Sequence, residues 1–155
     1  MSMEALKSEL QGQIGQVNGP SNWLVVDQEK IQKFAEATGD FQWIHVDVER
    51  AKKESPYKAP IAHGFLTLSL LPVLNNEVSG ANSGYPGVKL GVNYGLNKVR
   101  FPAPVPSGTR VRATSKLVEV TEVPGGLQLI REVTIEAEGQ EKPVCIAESI
   151  SRLYF

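Results

Sequence analysis

From Phe65 to Val73 the chain reads FLTLSLLPV, and wound as a helix this stretch is apolar on nearly every side. A helix without a polar face is a buried helix, so the rest of the chain must wrap it. Pro72 lies inside the stretch. It has no N–H and its ring crowds the preceding turn, so a kink or break is expected there. The wrapping material follows. Beyond residue 86 come GVKLGVNYGLNKVRF, GTRVRATSKLVEV, LQLIREVTIEAEG and KPVCIAESISRLYF, rich in Val, Ile and Thr and partly alternating. PAPVPSG, VPGG and GQEKP separate them as turns. Four such segments with short connections predict an antiparallel strand meander. The expected layout is α+β, a sheet wrapped around a central apolar helix. The sheet covers that helix on one side only, and a second subunit is the simplest cover for the rest.

Upstream, residues 4–12 suit a short helix, and SNWLVVDQ suits a strand leading to a helix cap at Asp27. QEKIQKFAEAT places Ile31, Phe34 and Ala35 on one helical face, and Gly39 ends that helix. VDVERAKKE offers another short helix capped by Asp47. No repeat or low-complexity linker divides the 155 residues, so a single domain over 1–155 is expected.

Sixteen basic and 17 acidic residues leave a net charge of −1 with no basic block, which argues against nucleic acid and against an anionic membrane surface as partners. Lys89, Lys98, Arg100, Arg110 and Arg112 are read first as a solvated strand face. No run approaches the ~20 apolar residues of a membrane span. MSMEALKSELQGQIG carries charge throughout, so a cytoplasmic location is expected. The single cysteine, Cys145, excludes an internal disulfide and reads as a small buried hydrophobe in a strand rather than a catalytic thiol. Two histidines and no HExxH or CxxC pattern predict no metal centre. The lack of GxGxxG or a P-loop predicts no nucleotide cofactor, and no GxSxG elbow supports a hydrolase built on Ser69 or Ser79.

Two places can carry chemistry. In GDFQWIH, residues 39–45, Asp40 and His45 stand five apart among Phe41, Trp43 and Ile44. An acid and an imidazole can share one water, one group taking its proton while the other supplies a proton elsewhere. The same residues also suit a plain reading, Asp40 capping a turn and His45 a hydrogen-bonded core residue. His63 and Gly64 stand just before the buried helix. Its first N–H groups lack internal partners, and a glycine there lets a polarised oxygen approach. The plain alternative is that Gly64 permits close packing and His63 caps locally.

ATGDFQWIHVD, followed about twenty residues later by APIAHGFLTLSLLP, resembles the MaoC-like, or (R)-specific enoyl-CoA hydratase, family, with its G-D-x-N-P-x-H motif and (I/V)-x-H-G helix start. NYGLNKVRFPAPVPSGTRVRA and CIAESI resemble single-domain members, the mycobacterial 3-hydroxyacyl-thioester dehydratases in particular. The resemblance implies a hot-dog fold, a curled antiparallel sheet around a long central helix, working as a homodimer. It implies reversible hydration of trans-2-enoyl thioesters of coenzyme A or acyl carrier protein, with no cofactor. Carried over by position, the catalytic pair falls on Asp40 and His45, and the N–H that polarises the carbonyl on Gly64. Gln42, Trp43 and His63 become candidates for the substrate pocket, the aromatics as a dry wall for the acyl chain. Gln42-Trp43 replaces the family's Asn-Pro and leaves the loop less fixed.

Two rivals stand beside that reading. A thioesterase of the same fold would need a carboxylate on or near the central helix, and residues 63–74 contain none. A binding subunit without turnover would keep the fold alone.

Overall fold

Ser2 accepts a hydrogen bond from the Ala5 N–H (3.2 Å) and opens α1, Met3–Gln11. Leu6 and Leu10, four apart, share one face and are buried. Each contributes roughly 1.5–3 kcal/mol by leaving water. The chain continues through β1 (Val17–Asn18), β2 (Leu24–Val26), α2 (Gln28–Thr38), α3 (Trp43–Val46) and α4 (Val48–Glu54). It then forms α5 (Gly64–Ser69), α6 (Leu71–Ser79), β3 (Leu90–Arg100), β4 (Thr109–Val123), β5 (Gly126–Ala137) and β6 (Cys145–Tyr154). The computed structural model describes residues 1–79, 81 and 84–155.

The caps expected at Asp27 and Asp47 are present, accepting from the N–H groups of Lys30 (2.8 Å) and Arg50 (3.0 Å). The strands form one antiparallel sheet in the order β1-β4-β5-β6-β3, with β2 also on β4. The α+β layout holds, and the sheet curls without closing. The meander is confined to β4, β5 and β6. β3 pairs with β6 instead of with its successor β4. The connecting segment is too proline-rich for a tight hairpin and carries the chain across the sheet.

The central helix is interrupted. The Leu70 N–H reaches the carbonyls of Leu66 and Thr67, both at 3.2 Å, and α6 restarts at Leu71. The break falls two residues ahead of Pro72, which cannot donate to the carbonyl four residues back. The helix is also not covered all round. Leu66, Leu71 and Leu74 enter the core, while Phe65 is 70% and Val73 53% exposed. The inner side packs in a core with Val111, Val133, Ile135 and Ala147 of the sheet, and α1 seals a second core around Leu117, Leu127 and Leu129.

Arg110, Arg112 and Lys98 pair with Glu138, Glu136 and Glu148 across the outer face of the sheet. The guanidinium of Arg112 also covers Trp23 at 4.2 Å. These cations are neutralised locally. Cys145 is buried, and burial pushes its thiol up to about 11. Among the described residues no helix is long and apolar enough to cross a membrane.

Candidate active site

The site begins where α2 stops. Gly39 adopts φ +82°, a left-handed conformation that side-chain-bearing residues avoid, and its N–H closes on the Ala35 carbonyl at 2.8 Å. The chain leaves the helix axis and presents Asp40. One Asp40 carboxylate oxygen accepts the Gln42 N–H at 3.3 Å. The Gln42 carbonyl in turn accepts the His45 N–H (3.0 Å) and starts the single turn of α3. The spacing of five is therefore one Asx-type turn plus one helical turn, and it delivers His45 inward.

Two strong contacts fix His45. Its Nδ1 lies 2.6 Å from the Ile61 carbonyl, which can only accept, so Nδ1 carries the proton and Nε2 offers a lone pair. Gln28 Nε2 donates to the His45 carbonyl at 2.7 Å. His63 arrives from the other motif. Its Nε2 donates to the Asp40 backbone carbonyl at 3.0 Å, and its ring stacks on His45 with centroids 3.9 Å apart. Phe34 packs against His63, centroids 4.9 Å apart. His63 Nδ1 is buried and, among the described residues, has no partner.

An Asp40 carboxylate oxygen and ring nitrogens of His45 and His63 lie within 4.8 Å of one another. Two hydrogen bonds of ~2.8 Å from one water span such a gap. The same three groups have donor types that suit a metal, and each imidazole has one nitrogen on a carbonyl and one left over. Burial lowers the His45 pKa below its ordinary value. The Ile61 carbonyl opposes this by favouring the imidazolium, His63 adds to the lowering, and Asp40 opposes it.

The expected company of the pair is partly different. Asp40, Phe41 and Gln42 are exposed, Phe41 at 54%, so Phe41 makes no dry wall. Trp43 is half-buried with the Arg50 guanidinium over its ring at 4.3 Å. The apolar side of the site is supplied by Phe34 and the stacked imidazoles. Only His45 of the pair is buried.

Gly64 opens α5 beside His63 and lines a cavity of about 410 Å³ with Ile61, Thr67 and Phe101. A Cβ there would meet the Phe101 ring at 3.1–3.2 Å. Ser69 uses its hydroxyl on the Phe65 carbonyl (2.7 Å) within α5. A second cavity of about 300 Å³ runs beside Leu68, Pro72 and Tyr94, and a third of about 390 Å³ lies beyond it beside Asn75 and Arg131. Gln42, Trp43 and His63 line none of these three. Arg131 was not expected. Its signal is an arginine at an inward position of the alternating segment LQLIREVTIEA.

The family model for the MaoC like domain matches residues 9–138. A 3-hydroxyacyl-thioester dehydratase Z of Mycobacterium tuberculosis is 52% identical over 146 residues, covering 94% of this chain and 93% of that one. A nodulation protein N of Rhizobium leguminosarum is 44% identical over 153 residues, 96% of this chain and 91% of that one. Among solved structures, a monoamine oxidase regulatory protein from Archaeoglobus superposes with a TM-score of 0.74 at 25% identity, over 92% of this chain and 90% of that one. An (R)-hydratase from A. caviae gives 0.68 at 22% identity, over 89% of this chain and 94% of that one, which speaks for the shared hot-dog fold.

Proposed function

The chain belongs to the MaoC-like domain family, and from that premise we propose that it catalyses the reversible addition of water to trans-2-enoyl thioesters, giving (R)-3-hydroxyacyl products. The observation that carries this reading is the gathering of an Asp40 carboxylate oxygen and ring nitrogens of His45 and His63 within 4.8 Å, beside Gly64, which starts α5. The 52% identity to a chain named as a 3-hydroxyacyl-thioester dehydratase supports the same hydro-lyase chemistry.

The steps follow from the groups present. The thioester carbonyl accepts a hydrogen bond from the Gly64 N–H, which draws electron density from C3. A water between Asp40 and His45 forms the O–C3 bond while giving a proton to the pair. The C2=C3 electron pair moves to the carbonyl oxygen as an enolate, held by the same N–H. A proton from the pair then reaches C2 and the carbonyl re-forms. Asp40 is the group that activates water, and His45, fixed by Ile61, orients it and shares the proton. The two roles can be exchanged between Asp40 and His45, since hydration and dehydration pass through the same enolate in opposite directions.

The working unit in this reading is a homodimer in the cytoplasm. The exposed outer side of α5 and α6 and the unpaired edge of β3 support the dimer. Thioesterase chemistry is disfavoured by the helix itself. Its first carboxylate, Glu77, accepts the Asn22 N–H at 2.7 Å instead of facing the Gly64 end.

The test is crotonyl-CoA with purified protein, followed by the ultraviolet absorbance of the conjugated thioester, with a thiol reagent in parallel. Absorbance loss without free thiol, and an (R) product on chiral analysis, is expected. Thiol release would replace the reading with a thioesterase, and silence in both would leave a binding subunit.

A further inference from the structure

Alternate residues of β5 lie on the inner, buried face of the sheet, in the order Leu127, Leu129, Arg131, Val133, Ile135, Ala137. Five are buried aliphatics. The third is an arginine that is 4% exposed. Its cross-strand neighbour on β6 is Ser149, and Ser151 sits opposite Leu129. On β4, Ser115 faces the helix and donates to Asn75 Oδ1 at 2.7 Å. These residues form a polar belt across the inner face of the sheet. The belt separates the core around Val133 and Ala147 from the core around Leu129 and Leu153.

The belt contains a cation and no anion. Arginine stays protonated in proteins, and burying an unpaired guanidinium is strongly unfavourable. Arg131 Nη2 donates to the Tyr85 hydroxyl at 3.1 Å, while Nη1 is buried and has no partner among the described residues. No described carboxylate forms an ion pair with it, and the remaining residues, Gly80, Asn82 and Ser83, bear none. Arg131 lines the cavity of about 390 Å³ together with Asn75, Asn76, Ser149 and Ser151, a donor-rich wall. That cavity shares Leu71, Pro72, Asn93 and Ser149 with the apolar one beside Leu68. With unbroken helical rise Asn75 would lie about 16 Å beyond Gly64, and the break at Leu70 alters that path. The Gly64 cavity shares no lining residue with these two, so a chain anchored by its thioester at Gly64 would pass from Thr67 to Leu68, neighbours on α5, to reach the guanidinium.

We propose that the Arg131 cavity receives the distal end of the acyl chain and selects enoyl thioesters whose chain ends in a carboxylate. This rests on the hydratase reading above. The carboxylate supplies the charge that the belt lacks and takes charge-assisted hydrogen bonds from Arg131, with Ser149, Ser151 and the Asn75 and Asn76 amides as further donors. An apolar tail of the same length leaves the guanidinium unpaired. The catalytic pair does not enter the selection.

The experiment compares trans-2-dodecenoyl-CoA with its ω-carboxy counterpart, using wild type, Arg131→Met and Arg131→Lys. The expected wild-type ratio of kcat/KM favours the carboxylate by at least tenfold. It should fall to parity or invert in Arg131→Met and be partly kept in Arg131→Lys. Free dodecanedioate should raise the melting temperature of the wild type more than dodecanoate does, and of Arg131→Met no more. A wild-type ratio at or below one, a ratio that Arg131→Met leaves in place, or equal melting shifts with both acids would overturn the proposal. If Arg131→Met fails to fold, Arg131→Lys and the wild-type melting shifts decide. Wild type that leaves crotonyl-CoA untouched removes the hydratase reading, and the diacid shift then decides separately whether Arg131 holds a carboxylate.

Discussion

The His63 ring lies over that of His45, centroids 3.9 Å apart, while its Nε2 holds the Asp40 backbone carbonyl at 3.0 Å. One side chain thus sets the distance between the carboxylate-bearing turn and the imidazole. His63→Phe keeps an aromatic ring on His45 and leaves the Asp40 carbonyl without its donor. Losing that bond costs about 1 kcal/mol of positioning. The expected result with crotonyl-CoA is a severalfold lower kcat with KM little changed. An unaltered kcat would show that the turn holds itself.

Asp40→Asn separates chemistry from folding. The carboxylate is exposed and makes one long bond, to the Gln42 N–H at 3.3 Å, which an amide oxygen can also accept. Stability should stay within ~0.5 kcal/mol of wild type, as for a surface change. The kcat should fall about 10²–10⁴-fold, the range typical of a lost general base. Near-full turnover in a folded Asp40→Asn variant would remove Asp40 from the mechanism.

The His45 shift has a sign that can be followed in solution. Unfolded histidine takes a proton near about pH 6.5, whereas burial holds folded His45 neutral to lower pH. Between those two values the unfolded chain binds more protons, so stability rises with pH. The contribution is complete above about 6.5 and is lost as pH falls through the folded value. The free Nε2 disappears over the same acid range. The acid limb of kcat/KM is therefore expected below about pH 6.5, and a limb centred above about 7 would contradict a buried, neutral His45.

Much of this was legible in sequence where one local rule decides. The caps at Asp27 and Asp47, the left-handed Gly39 and the strand segments each follow from residue type and short-range pattern. The pairing of β3 with β6 is long-range and leaves no mark in periodicity. The same holds for the site. Asp40 and His45 could be named because they share one short motif. Their environment could not, since it is made by Phe34 and His63 from other segments while Phe41 turns outward. Arg131 broke the alternation of β5 visibly, but an inward arginine acquires meaning only beside the cavity it lines.

Cys145 offers a control within the hydration assay. It is fully buried on β6 with its thiol pushed up to about 11, so little thiolate forms near neutral pH and none is accessible. A thiol reagent should leave the native protein unmodified at about pH 8 and label it once in denaturant. Rapid labelling of the native protein would mean that the strand opens, and would also compromise the free-thiol readout that separates hydratase from thioesterase.

The outer side of the helix carries the last test. Phe65 is 70% exposed and Val73 53%, and both lie on the helix face turned away from the sheet. Tyr94 on β3 is 56% exposed, on a strand with one unpaired edge. An uncovered strand edge beside exposed apolar side chains invites a second chain. A stable interface buries about 800 Å² on each partner and concentrates its energy in a few aromatic anchors. Phe65→Glu combined with Val73→Glu places two charges in that face without touching the inward core residues Leu66 and Leu74. Light scattering should give a dimer for the wild type at micromolar concentration and a monomer for the double variant, with helix and strand content retained. A wild-type monomer would leave this face for another partner, and a double variant that stays dimeric would move the interface to another surface.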